Sequence, residues 1–499
     1  MNFIASLFYL LAFSTLLSAA RALTPQQVWV QRYDGPGAGA DNAFAMAVDP
    51  AGNVFVTGES TGVGSGYDIV TLKYSNAGVP LWTNRYNGPA NGADIGNALV
   101  LDANGDVVVT GSSGNGDLDC VTLKYSSVGV PLWTNRYLIN GDSSLGTAVT
   151  VDTNNNVLVA GYSYSSGIKT LKYSSAGVAL WTNSYIGPNN LNHYAAAIAA
   201  DSDGNVLVTG FSTGLGSGDD YVTLKYSSAG VPLWTNRFNG EGNGNDEANA
   251  LAVDGNGDVL VTGYAVNSSG WGEYATIKYS SDGTPLWTNH LSGPGGGLYF
   301  GASDLAVDGS NNVVVTGTLP ASGNQGDFVT IKYSEAGVPL WTNRAGLIYD
   351  DRANALALDR NGNVFVTGYV TDPVNLRFDI YTVAYASTGA GLWTNRYNGT
   401  GDSDDTGNAV AVDANGNVMV AGYSFGATYD LVTIQYGFIR PPLNVRQTTN
   451  SIVLSWTNSA FMLQAAPGPD ATFTNIPSAT SPYTNFLTGA AKFFRLKAN

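Results

Sequence analysis

Hydrophobic residues in this chain fall in short β-branched runs, each broken after six or seven positions by Gly, Asn, Asp, Ser or Pro. No stretch carries the 3.6-residue period of an amphipathic helix. In the first clear unit four runs follow one another: Ala43–Asp49, Asn53–Gly58, Asp68–Tyr74 and Leu81–Tyr86. Runs of this kind between turn-forming residues predict β-strands. Two links are tight, at Asp49-Pro-Ala-Gly52-Asn53 and Ser75-Asn-Ala-Gly78-Val79. Both place Gly where a hairpin loop needs a positive φ. The other two links are longer and vary.

The unit repeats. Trp29, Trp82, Trp133, Trp181, Trp234, Trp287, Trp341 and Trp393 sit in versions of Gly-Val-Pro-Leu-Trp-Thr-Asn-Arg-Tyr, spaced 48 to 54 residues apart. An Asp ends the first run eight times: Asp49, Asp102, Asp152, Asp201, Asp254, Asp308, Asp359 and Asp413. A Tyr ends the third run eight times, from Tyr74 to Tyr436. Four strands in about 50 residues, repeated, are propeller blades. The chain opens with a fourth-type strand at Val28–Tyr33 and its last unit stops after a third-type strand at Tyr436. The two ends therefore complete one sheet, which removes an open edge. The predicted fold is all-β: an eight-bladed β-propeller closed by the N-terminal strand. One Trp per blade at fixed phase predicts packing between blades.

The repeat resembles the bacterial β-propeller repeat family, often labelled seven-bladed. The resemblance is carried by Asp-x-x-Gly-Asn-Val-x-Val-Thr-Gly, as at Asp201–Gly210, and Asp-x-Val-Thr-x-Lys-Tyr, as at Asp327–Tyr333. It spans residues 28–436 and departs in having eight units. It implies an exported protein and assigns no activity. The Gly-x-x-x-Trp hairpin is also similar to the Trp-docking repeat of eight-bladed quinoprotein dehydrogenases. Those enzymes use adjacent cysteines near the cofactor, and Cys120 is the only cysteine here.

The flanks change the picture. Residues 1–22 read as a signal peptide, with an apolar run from Phe3 to Leu17 and small residues up to Ala22. This predicts a protein that is secreted or displayed at the cell surface. Residues 23–437 form the propeller, 438–442 with Pro441-Pro442 a linker, and 443–499 a small C-terminal β-sandwich-like module. No later stretch is long enough for a membrane span. The net charge is −16 and becomes −17 once Arg21 leaves with the leader. Such a field repels phosphate backbones, so nucleic acid is a poor partner. Cys120 aligns with Ile69 and Phe328 and reads as a small buried hydrophobe.

The candidate chemistry is sparse. An acid opens the third strand (Asp68, Asp119, Asp220, Glu273, Asp327, Asp379, Asp430) and a base closes the fourth (Arg85, Arg136, Arg237, His290, Arg344, Arg396, Arg32). The third unit lacks both, with Gly167 and Ser184 instead, and the joint loss predicts a cross-strand pair. Asp102-Ala-Asn104-Gly-Asp106 has oxygens at alternate positions, as a calcium loop does, but lacks the Gly and Glu that complete one. No other cofactor is implied.

Two features bear on binding. Eight residues before each first-strand Asp stand Asp41, Asp94, Ser144, His193, Asp246, Phe300, Asp351 and Asp405. They either hold local loop amides or form a polar ring at the mouth of the channel. Units four to six also carry His193, Tyr194, Trp271, Tyr299 and Phe300, which other units lack. These either pack their loops or form an aromatic platform for a sugar. There is no Gly-x-Ser-x-Gly or His-Glu-x-x-His motif. The sequence thus points to a non-catalytic binding scaffold for a glycan, a cation or a surface protein. Its rivals are a polysaccharide hydrolase or lyase using Asp350, Asp351, Asp404 and Asp405, and an architectural protein docked through its C-terminal module.

Overall fold

The computed structural model describes residues 25–437 apart from 38, 139–140, 298–299, 322–324 and 348, and then 443–448, 450–456, 461–468, 471–477, 479–486 and 492–498. The leader expected at residues 1–22, the linker expected at 438–442 and Tyr299 lie outside the described residues. Gln26–Gly437 form one compact unit and the described residues after them another. Among the described residues there is no helix, and none that could cross a membrane.

The first unit holds eight four-stranded antiparallel sheets among its described residues. Sheets one to seven each run in chain order, spanning 41–86, 93–137, 144–185, 193–238, 247–291, 302–345 and 352–397. Sheet eight is Asp405–Val412, Val418–Phe425 and Tyr429–Gly437, with Gln26–Tyr33 hydrogen-bonded to Tyr429–Gly437 as its fourth strand. First strands of successive sheets touch one another, and the first strand of sheet eight touches that of sheet one.

The repeated residues are latches between sheets. Each repeat indole lies over the third-strand Tyr of the next sheet, as Trp82 over Tyr125 at 6.3 Å, Trp181 over Tyr226 at 6.2 Å and Trp234 over Tyr279 at 6.1 Å. The indole N–H donates to a carbonyl of that sheet, as Trp181 does to Ser228 at 3.1 Å. The hairpin Gly serves twice. Gly230 sits at φ 84°, and a Cβ on it would lie 2.9 Å from the Trp181 ring. A left-handed turn and a close indole both demand Gly there. Next to the Trp, Asn183 donates to the Gly230 carbonyl at 2.8 Å. The third-strand Lys makes another link. Lys124 pairs with Asp102 of its own sheet at 2.8 Å and donates to Ser175 O of the next at 3.3 Å.

A second belt joins the first strands. Asn97, Asn249, Asn354 and Asn408 each donate to a first-strand carbonyl of the following sheet, at 2.8 to 2.9 Å. Asn408 of sheet eight reaches Ala43 of sheet one. Trp29 of sheet eight likewise lies over Tyr74 of sheet one at 6.1 Å, and its N–H donates to Asn76 O at 3.2 Å. Cys120 is buried among apolar neighbours, and burial pushes its thiol up to about 12.

Among its described residues the second unit has two three-stranded antiparallel sheets. One pairs Asn444–Gln447, Ser451–Ser455 and Tyr483–Phe486; the other pairs Thr474–Asn475, Phe461–Ala466 and Phe493–Ala498. Leu454, Trp456, Leu463 and Leu496 form its small core.

Candidate functional site

The cross-strand pairs read from the sequence are present. Arg85 meets Asp68 at 2.8 Å, Arg237 meets Asp220 at 2.8 Å, Arg32 meets Asp430 at 2.9 Å, and His290 meets Glu273 at 2.7 Å. Sheet three fills its gap in a way the sequence did not disclose. Lys169, directly across from Ser184, donates to the Ser184 hydroxyl and to Ser166 O, both at 2.7 Å. Asp142 beside it accepts from Ser165 Oγ at 2.6 Å and Ser166 Oγ at 3.1 Å. A buried Lys thus stands in for the missing Arg.

The turn acids are also engaged. Asp102 Oδ1 accepts from Asn104 N at 2.8 Å and Asp106 N at 3.0 Å, while Oδ2 faces the Lys124 ammonium. The loop proposed for calcium therefore neutralises its Asp with Lys124. Asp34, Asp41 and Asp430 bring oxygens within 4.8 Å of one another, but Arg32 already pairs with Asp430 there.

Asp41, Asp94, Asp246, Asp351 and Asp405 are each 0 % exposed. Their carboxylates accept amides of the loop leading into the first strand and of the end of the second strand. Asp41 takes Gly35 N at 2.7 Å and Thr61 N at 3.2 Å; Asp246 takes Gly240 N at 2.6 Å and Val266 N at 2.8 Å. Asp94 takes Gly88 N at 2.6 Å, Asp351 takes Leu347 N and Thr371 N, and Asp405 takes Gly399 N and Phe425 N. They are buried loop anchors and do not line an open mouth. Asp350 and Asp404 also hold amides, those of Gly326 at 2.9 Å and Phe378 at 3.2 Å.

The four described aromatic-patch residues do not form one platform. Trp271 is 47 % exposed, its ring against the Gly296 backbone. Phe300 is buried in the core of sheets five and six. Tyr194 lies two sheet positions earlier, stacked on Phe211 at 5.3 Å and beside Tyr162 at 4.9 Å. His193 is buried at the loop-anchor position, with neither ring nitrogen partnered. Burial, with Arg237 nearby, lowers its pKa, so it is neutral. Replacing it with the acid used elsewhere gives the Gly187 loop an acceptor. His193→Asp is expected to raise stability by about 1 kcal/mol, read from denaturant midpoints.

Burial also raises several carboxyls. Asp246, Asp304, Asp351 and Asp379 are pushed up to about 6. The folded state then holds protons that the unfolded chain has released. That stability is complete below about pH 4 and is lost as pH rises through about 6. Asp142, Asp152, Asp201 and Asp308 are lowered by their hydrogen bonds, so their contribution disappears as pH falls below about 4. His193 opposes the first group, because its contribution is lost as pH falls through its ordinary value near 6.5. Four carboxyls against one imidazole place the expected optimum near pH 4–5. Melting curves from pH 3.5 to 8 check this; a maximum above pH 7 contradicts it.

The residue after each anchor position lies on the opposite face of its strand, and in sheets five to seven that face borders a cavity. Its directly opposed second-strand neighbour shares that face. Around the sheets these pairs are Asn42–Glu59, Ile95–Ser112, Leu145–Tyr162, Tyr194–Phe211, Glu247–Tyr264, Arg352–Tyr369 and Thr406–Tyr423. In sheet six the pair is Gly301–Thr318, with Thr318 N donating to Gly301 O at 3.1 Å. No two pairs are alike, although each flanks a nearly constant anchor. The small pair of sheet six opens a cavity of about 610 Å³ between Glu247 and Tyr264 on one side and Arg352 on the other. Asn249 and Asn354 of the first-strand belt also line it, as does Ser303, which donates to Ala353 O at 2.6 Å. A side chain at Gly301 would meet Tyr264 at 2.6 Å, so Gly keeps this wall open. Burial, with Asp219 and Asp246 nearby, raises the Glu247 pKa.

The comparisons with known proteins concern the fold. Residues 28–64 match the family model for the SBBP beta-propeller repeat. An uncharacterized WD repeat-containing protein, L264, of Acanthamoeba polyphaga mimivirus is 23% identical over 489 residues, covering 78% of this chain and 32% of its own length. The regulatory protein FlaEY of Caulobacter vibrioides is 30% identical over 257 residues, covering 44% of this chain and 25% of its own. The chain thus spans only a third or less of these relatives. Among solved structures, Chaetomium thermophilum Sqt1 aligns with TM-score 0.54 at 12% identity, over 83% of this chain and 98% of that one. The quinohemoprotein alcohol dehydrogenase ADHIIG of Pseudomonas putida HK5 aligns with TM-score 0.51 at 11% identity, over 85% and 79%. With its repeated four-stranded sheets and the repeat-family match, the chain is a β-propeller repeat protein.

Proposed function

We propose that this is an exported, non-catalytic binding scaffold: an eight-bladed ring, closed by Gln26–Tyr33, that takes a glycan at its mouth over sheets five to seven. The carrying observation is the cavity between Glu247, Tyr264 and Arg352. The rest of the repeat is committed to latches, while the mouth pairs vary from sheet to sheet. An aromatic face beside amide and carboxylate oxygens suits the C–H face and hydroxyls of a pyranose. The C-terminal sheets serve as a separate appended module.

A glycan-array screen of residues 23–499, with calcium and with chelator, tests this. The expected result is a specific hit that survives chelator and is lost in a Glu247→Ala, Tyr264→Ala double variant. Loss only in Trp271→Ala would move the site to the exposed indole. Loss only in chelator would move it to the acidic loops. No hit from any saccharide would sink the glycan reading and leave a scaffold for protein partners.

A further inference from the structure

The cavity over sheets five to seven carries opposite charges that no described residue pairs. Among the described residues, the Arg352 side chain makes no ion pair and no hydrogen bond, and neither does the Glu247 carboxylate. Both line the cavity, yet they are not within ion-pair distance of each other. The basic residues at the ends of the fourth strands are paired closely. The seven basic residues that close the fourth strands each meet an acid. Even Glu59, the other mouth carboxylate, accepts from Asn42 at 2.7 Å. Arg360 and Arg446 are also without an ion pair among the described residues, but of the three only Arg352 lines this cavity.

Resting on the glycan reading, we infer that the ligand is an acidic saccharide, a pyranose bearing a carboxylate, with Arg352 as the carboxylate receptor. The planar guanidinium fits a carboxylate with two parallel N–H···O bonds, which a neutral sugar cannot accept in the same way. Tyr264 supplies an aromatic face beside it. Glu247 can only accept while ionised, so it selects hydroxyls and disfavours a second carboxylate on its side. The cavity therefore reads polarity as well as charge: carboxylate toward sheet seven, hydroxyls toward sheet five. The absence of a side chain at Gly301 leaves room for the ring between them. The wider negative field slows the approach of a polyanion, so recognition depends on this local contact.

Calorimetric titration of residues 23–499 with a tetragalacturonate and with its carboxyl-reduced, neutral counterpart tests the inference. The expected result is binding of the uronate with at least tenfold weaker binding of the reduced oligomer. Arg352→Gln should weaken the uronate at least tenfold and the neutral oligomer far less. Glu247→Gln should weaken both. Arg352 is exposed, and an unchanged melting temperature with Arg352→Gln separates loss of recognition from loss of fold. Equal binding of both oligomers, unaffected by Arg352→Gln, overturns the acidic specificity while leaving the glycan reading standing. If neither binds but a neutral saccharide on the array does, the acidic specificity alone fails. If nothing binds in either experiment, both fail.

Discussion

Deleting residues 26–33 is expected to prevent this protein from accumulating as a soluble, folded monomer. The strand they form is the fourth strand of sheet eight, hydrogen-bonded along Tyr429–Gly437. Without it the third strand of that sheet becomes an open edge, a template for pairing with other chains. The deletion also removes Trp29 from Tyr74 and Asn76 of sheet one, and Arg32 from Asp430. Loss of the Trp29 contact alone costs about 3 kcal/mol, in the range of large-to-small substitutions. Arg32 also donates to the Ser424 hydroxyl at 2.7 Å, so its loss leaves a second part-buried group short of a partner. Size-exclusion chromatography of the truncated chain should show aggregate. A peptide of residues 26–33 added during refolding should recover part of the monomer. A truncated chain that stays monomeric and melts like the full protein would show that this strand is dispensable.

The second large effect is expected at a single lysine. Lys124 is buried, with 3 % side-chain exposure, and its ammonium lies 2.8 Å from Asp102, which is 0 % exposed. Lys124→Met keeps the volume but strands a carboxylate that is out of reach of water. Breaking one partner of a buried pair costs about 3–5 kcal/mol. Adding Asp102→Asn removes the stranded charge while keeping an oxygen for the Asn104 and Asp106 amides. The double variant should recover most of the loss. Denaturant midpoints for the two singles and the double measure the coupling. Additive losses would mean that the pair is not the energetic unit. Sheet seven makes a natural comparison, because Ala384 stands where the Lys would be.

Much of the fold was legible because each repeated residue type solves the same packing problem in sheet after sheet. Trp, Gly, Asn and Lys recur at fixed spacing since each touches the next sheet in the same way. The acid–base pair across the third and fourth strands was readable from its joint loss in the third unit. What replaced it was not. Lys169 lies two residues beyond Gly167, at a position filled by Val in most other sheets, so an alignment by residue type passes over it. The cavity-lining face was missed by one residue. In a strand the facing direction flips at every step. The eye-catching Asp residues face into their loops, and the unremarkable residue after three of the anchor positions, Glu247, Gly301 and Arg352, lines the cavity. A bulge follows two positions later, as between Ala248 and Ala250, and breaks the alternation that would have shown this. The aromatic patch failed for a related reason. Phe300 and His193 occupy the anchor position, where side chains are buried, whereas Trp271 comes from a hairpin tip.

The most direct test of the account is to fill the mouth cavity from the side that made it. Thr318 lines the cavity from sheet six and takes no part in the latches described above. Thr318→Trp puts an indole into the space between Glu247 and Arg352 without altering either. The measurement is the affinity of this variant for the best saccharide found on the array, by titration calorimetry, beside its melting curve. The account predicts an unchanged fold and at least a tenfold loss of affinity. Binding equal to that of the unsubstituted protein, with the fold intact, would contradict the claim that the mouth over sheets five to seven is the site.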